Sequence, residues 1–146
     1  MRSCLYRWSL SMIFVWFAGT GATSAAEVSA ADTAAIRAVV QAQLDAFAAD
    51  DGKRAFSLAA PGIRKMFGNA ERFMEMVRTG YPAVYRPASV SFLKPELAGA
   101  TMVTPGLRLT DASGASWRAV YQMQRQPDKS WRIGGCQVVP SDERVT

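Results

Sequence analysis

The chain has 146 residues, 49% apolar and 20% charged, which fits one globular domain and excludes a disordered tail. Its formal charge of +5 comes from arginines and lysines scattered without a basic run, so no nucleic-acid partner is expected. Histidine is absent, which excludes Ser-His-Asp and Cys-His catalysis and histidine-bearing zinc sites within one chain.

Residues 1–26 read as a secretory signal peptide. Arg2 and Arg7 give a positive start, Leu10 to Ala18 (LSMIFVWFA) a short apolar core, and Gly19 to Ala26 (GTGATSAA) a stretch of small residues. Ser24-Ala25-Ala26 fits cleavage before Glu27. The apolar core falls short of the roughly 20 residues of a membrane span, so no stable span is expected after cleavage. The expected location is periplasmic or secreted, with residues 27–146 as one domain. Cys4 lies in the leader and precedes its apolar core, so no lipoprotein site is expected. Cys136 is then the one mature thiol, without an intramolecular disulfide partner or a thiolate metal site.

Asp32 to Asp50 has helical spacing. Ile36, Val39, Val40, Leu44 and Phe47 fall three or four apart, and Ser29 or Asp32 can cap the start. Asp50-Asp51-Gly52 ends it, with Gly52 expected in a left-handed turn and an Asp capping the next helix. Lys53 to Ala60 reads as a short helix stopped at Pro61-Gly62, and Ile63, Met66 and Phe67 as one extra turn. Asn69 caps a third helix, Ala70 to Thr79, whose inner ridge is Phe73 and Val77 with Met74 and Met76 beside it. Tyr81 to Pro87 (YPAVYRP) reads as an aromatic and proline connection without regular structure.

Strands follow. Ser89 to Lys94 alternates Val90 and Phe92. Thr101 to Thr110 is a second strand, with a bulge or edge position expected at Pro105-Gly106. Asp111 to Gly114 turns into a long hairpin, Ala115 to Pro140. Its first arm alternates Trp117, Ala119, Tyr121 and Met123, its turn is Gln126-Pro127-Asp128-Lys129-Ser130, and its second arm carries Trp131, Ile133, Cys136, Val138 and Val139. Helices first and strands after them predict an α+β fold, with three N-terminal helices packed on a curved four-stranded antiparallel sheet.

Tyr81, Tyr85 and Arg86 are the polar candidates for a ligand site. Two phenols can donate to a ligand oxygen, and a guanidinium can hold a carboxylate or phosphate. A small anionic or amphiphilic ligand is the expected partner, with Met74 and Met123 along its apolar part. Asp50 and Asp51 read as helix-terminating and capping carboxylates rather than bases. Cys136 reads as a small buried side chain, because nothing in the sequence supplies the cation or base a thiolate needs. The Gly134-Gly135 pair before it is expected to allow a bend or the close approach of another backbone. No catalytic residue, cofactor or metal is assigned.

The segments AFAADDGKRAFSLAAPGIRKMFGNAERFMEMVRTGYPAVYRPASVSF and RQPDKSWRIGGC resemble a family of secreted bacterial proteins defined as a domain of unknown function. The order of elements is similar to the nuclear-transport-factor-two-like superfamily, which includes ketosteroid isomerases and polyketide cyclases. The resemblance implies a cone-shaped fold and an exported protein, and a homodimer formed through the sheet. Three functions fit these observations. The first is a non-catalytic domain that binds a small molecule or partner through its cone. The second is an isomerase- or cyclase-like enzyme using Asp, Tyr or Arg in an apolar pocket. The third is a structural subunit of an envelope assembly, with its cone filled.

Overall fold

The structure is a computed structural model that describes residues 27–99 and 101–141. The expected leader lies outside the described residues. Among the described residues five helices precede six strands: α1 Ala30–Ala48, α2 Gly52–Ser57, α3 Pro61–Phe67, α4 Ala70–Gly80, α5 Pro82–Tyr85, then β1 Ser89–Phe92, β2 Glu96–Leu97, β3 Met102–Thr104, β4 Gly106–Thr110, β5 Ser116–Arg125 and β6 Trp131–Pro140. No helix among the described residues is long and apolar enough to cross a membrane.

The helical half exceeds the three expected helices because two short ones form at prolines. Pro61 and Pro82 occupy the first turns of α3 and α5, where a missing amide proton costs nothing and the fixed φ suits a helix. The stretch expected to lack regular structure after Gly80 therefore contains one helical turn. Ser29 caps α1, its Oγ accepting from the Asp32 amide at 3.0 Å. That leaves the Asp32 carboxylate free to accept from Trp131 Nε1 and Arg125 Nη2, each at 3.2 Å, which ties the start of α1 to the β5–β6 hairpin.

The turn between α1 and α2 differs from expectation in an instructive way. Asp50 itself adopts the left-handed conformation (φ 51°), and Asp51 caps α2 by accepting from the Arg54 amide at 3.1 Å. Gly52 is instead the first residue of α2. A Cβ built there would lie 2.9 Å from Met74 Cγ, so glycine serves the close approach of α2 to α4.

The strands form one antiparallel sheet that curls into a half-barrel. β5 is its spine, pairing with β6 on one side and with both β3 and β4 on the other. The segment expected as one strand from Thr101 to Thr110 is thus two, broken at Pro105, which has no amide proton for the ladder. β1 pairs with β4 and β2 with β3, bringing the strands to six rather than four. The β4–β5 and β5–β6 turns are each closed by an aspartate. Asp111 Oδ1 accepts from the Ser113 and Ala115 amides at 2.9 and 3.0 Å, and Asp128 Oδ1 from the Ser130 amide at 2.9 Å.

A bulge in β6 sets which side chains face inward. Met123 pairs with Ile133 but Gln122 with Gly135, so Gly134 is the extra residue. Before it, Trp131 and Ile133 point to the core. After it the parity reverses, so Cys136 and Val138 pack on the core while Gln137 and Val139 are exposed. The α2–α3 junction docks on the same strand before the bulge. Ala60 donates to the Ile133 carbonyl at 2.7 Å, and Ile133 donates to the Leu58 carbonyl at 2.9 Å. The core fills the space between this sheet and the helices. At its centre Phe73 meets Phe47, Phe56 and Phe67, with ring centroids 5.6 to 6.2 Å apart.

Candidate functional site

A cavity of about 380 Å³ lies between the helices and the β5–β6 hairpin. Its position follows from short elements that do not close completely over the sheet. From α1 come Gln43 and Phe47, one turn apart on the same face. Ile63, Met66 and Phe67 come from α3, and Phe73, Met76 and Val77 from α4. Tyr81 and Val84 line it from the turn into α5 and from α5 itself. The sheet contributes Tyr121 from β5 and Ile133, Gly135 and Cys136 from β6. Met66 is 73% exposed, which puts the rim of the cavity at α3.

No Arg, Lys, Asp or Glu is among these lining residues. The polar groups are few. Gln43 is buried, with Nε2 donating to the Ala55 carbonyl at 3.3 Å, a bond that holds α2 to α1. Tyr121 is 1% exposed, and its hydroxyl is the one buried side-chain oxygen or nitrogen among the described residues that lacks a hydrogen-bond partner. Cys136 sits directly opposite Tyr121 on β6. Its thiol is close enough to perturb the phenol without meeting hydrogen-bond geometry. Burial, and to a smaller degree this sulfur, raises the Tyr121 phenol well above its usual range. Burial likewise pushes the Cys136 thiol up to about 12, and the Tyr121 hydroxyl opposes that only partly. Both groups are therefore neutral at any ordinary pH.

A second, exposed polar cluster lies where α1, α4 and α5 end. Tyr85 Oη donates to Asp50 Oδ1, and Arg86 Nη2 donates to Asp50 Oδ2 at 2.9 Å. Arg78 Nη2 reaches Asp50 Oδ1 at 3.4 Å, and both guanidiniums lie over the Tyr85 ring, 5.7 Å (Arg78) and 4.9 Å (Arg86) from its centroid. The Tyr85 hydrogen bond, helped by Arg78 and Arg86, holds the Asp50 carboxyl below the usual carboxylate range. Among the described residues no cluster of three or more His, Cys, Asp or Glu could hold a metal ion.

The candidate residues named from sequence thus go to three places. Tyr81 lines the cavity. Tyr85 and Arg86 meet each other, but at Asp50 rather than among the cavity-lining residues. Met74 and Met123 are buried in the core, Met74 beneath Gly52 and Met123 opposite Val103 and Ile133, and neither lines the cavity. Met66 and Met76 take the role given to them. Tyr121, whose alternation in the hairpin suits either a cavity wall or core packing, lines the cavity. The signal for the wall was present in its partners: a large tyrosine faces a Gly-Gly-Cys segment, too small to fill the space beside it.

Residues 29–146 match the family described as Domain of unknown function (DUF4864). The chain belongs to this family. No curated protein matches it. The matched span of this DUF4864 chain contains every helix and strand above, and therefore the whole cavity and the Asp50 cluster.

Proposed function

We propose that this DUF4864 domain is a non-catalytic binding module of an exported protein, holding a small, largely apolar molecule in the cavity between α1, α3, α4 and the β5–β6 hairpin. The observation that carries this reading is the cavity itself. Close-packed domains leave few voids larger than a water molecule, whereas about 380 Å³ falls within the range of small-molecule sites. Aromatic and aliphatic side chains line it, with few polar groups among them, the usual composition of such sites. Helices packed in the curl of an antiparallel sheet are also consistent with the cone of the nuclear-transport-factor-two-like folds.

The enzyme alternative needs a carboxylate beside a phenol in the apolar pocket. Tyr81 and Tyr121 line the cavity, but Asp50 pairs with Tyr85 outside that lining, which favours binding over acid–base chemistry. A structural subunit would have its interior filled, and an unfilled cavity speaks against that. The anionic ligand expected through Arg86 is replaced here by an apolar one, because Arg86 is engaged by Asp50 and no cation lines the cavity.

Titration with the apolar dye N-phenyl-1-naphthylamine tests the reading. Saturable one-to-one binding is expected, and Ile63→Trp, which fills the cavity from α3, should abolish it without changing the melting temperature. Absence of saturable binding overturns the proposal. Mass spectrometry of molecules extracted with protein from its native envelope would then name the class of ligand. Export rests on residues 1–26, and N-terminal sequencing should find the mature chain starting at or near Glu27. Intact Met1 in the membrane pellet would reject cleavage.

A further inference from the structure

Resting on the cavity as the binding site, we infer that its ligand is uncharged and carries one hydrogen-bond-accepting oxygen, such as a ketone, aldehyde or ester carbonyl, placed against the Tyr121 hydroxyl. A buried hydroxyl without a partner is costly, and native structures rarely keep one. Its neighbours do not relieve it. The Cys136 thiol is a weak partner outside hydrogen-bond geometry, and no other polar atom of the described residues lies within hydrogen-bond reach of the Tyr121 hydroxyl. Tyr121 is also held on both sides of β5, its amide donating to the Pro105 carbonyl at 3.0 Å and Cys136 of β6 lying opposite it. The donor is thus fixed in the wall of the cavity, beneath its surface, before any ligand arrives.

Charge decides the rest of the ligand's chemistry. The lining holds no cation to receive a carboxylate or phosphate and no anion to receive an amine. Either ion would lose its hydration without compensation, a penalty that exceeds what the apolar wall returns. A carbonyl oxygen keeps the ligand neutral and gives the phenol the acceptor it lacks. The aromatic side chains Phe47, Phe67, Phe73 and Tyr81 suit a flat or ring-bearing body behind that oxygen.

The test uses three bicyclic probes of similar size, naphthalene, 1-tetralone and 1-naphthoate, titrated into isotope-labelled protein and into Tyr121→Phe. Amide signals of Gly135 and Cys136 report binding at the cavity. For the unsubstituted protein, 1-tetralone should bind about fivefold to tenfold more tightly than naphthalene, the size of one hydrogen bond, and 1-naphthoate most weakly. In Tyr121→Phe the advantage of 1-tetralone over naphthalene should vanish while naphthalene binds as before. Equal affinities for naphthalene and 1-tetralone in the unsubstituted protein overturn the inference but leave the apolar site standing. So does an advantage that survives in Tyr121→Phe, or a preference for 1-naphthoate. If none of the three shifts those signals, the binding site itself is rejected and the inference falls with it.

Discussion

The Tyr85 hydroxyl donates to the carboxylate of Asp50, a residue 35 positions earlier, and joins the end of α1 to the end of α5. Arg86 takes the other carboxylate oxygen and Arg78 reinforces the first, so a single aspartate in a left-handed turn gathers three side chains. Because these partners favour the charged carboxylate, Asp50 titrates lower in the folded chain than its ordinary value of 3.8. The stabilisation it gives is therefore complete above that value and is lost as the pH falls through the folded value. Asp50→Asn keeps an acceptor and tolerates the positive φ, and so isolates the charge. Its melting temperature should lie below that of the unsubstituted chain at pH 7, and the gap should close as melting is followed by circular dichroism down to pH 2. A gap that stays constant would show that the charge contributes nothing.

Arg86 belongs to the same cluster, and its role is testable apart from the carboxylate. Arg86→Ala removes the 2.9 Å bond to Asp50 and the contact with the Tyr85 ring. The melting temperature should fall slightly, since the group is half exposed, while affinity for N-phenyl-1-naphthylamine stays the same. Lost affinity with unchanged melting would instead make Arg86 a ligand contact.

Gly52 and Met74 give a packing test. Gly52→Ala sets a new Cβ 2.9 Å from Met74 Cγ inside the core. Overpacking of this kind costs about 1–3 kcal/mol, of which better helix propensity returns up to about 1 kcal/mol. Urea denaturation should show a net loss, and the loss should shrink in a Met74→Ala background, where the space has been cleared. Additive effects would mean that the two side chains do not meet.

Much of this architecture was legible because periodicity survives folding. The stripe from Ile36 to Phe47 supplies the buried face of α1, and Ala119, Tyr121 and Met123 supply that of β5. Even the bulge leaves a trace, since apolar residues shift from odd positions (Trp131, Ile133) to even ones (Cys136, Val138) across Gly134-Gly135. Less legible was anything decided by long-range geometry. Asp50 and not Gly52 takes the positive φ, while Gly52 answers instead to Met74, which is far along the chain. Arg86 looks like a ligand-binding residue beside two tyrosines until the fold brings Asp50 to it. The cavity is a deficit of volume between elements, and no spacing within any one of them encodes it.

Tyr121→Phe carries a stability consequence independent of any ligand. The unpartnered hydroxyl is buried, and such a group costs about 1–3 kcal/mol. Its removal should therefore raise the urea midpoint of the unliganded protein, an exchange of stability for recognition. A lower midpoint would mean that solvent in the cavity already satisfies the phenol.

Cys136 faces the same hydroxyl, and this changes what its replacement should do. Burial raises the thiol to about 12, so at pH 8 it is overwhelmingly protonated. Native protein should react with iodoacetamide slowly at Cys136, as located by peptide mapping, and rapidly once unfolded in urea. Cys136→Ser would by itself bury a hydroxyl at a cost of about 1–3 kcal/mol. Directly opposite lies the Tyr121 hydroxyl with no partner, and two hydroxyls can satisfy each other where a thiol and a hydroxyl do not. The cost of Cys136→Ser should therefore be smaller in the unsubstituted chain than in Tyr121→Phe, by the roughly 0.5–1.5 kcal/mol of one hydrogen bond. A double-mutant cycle by urea denaturation measures that coupling. Zero coupling would place the two side chains too far apart to share a hydrogen bond, and rapid labelling of native Cys136 would reject the buried, inert thiol.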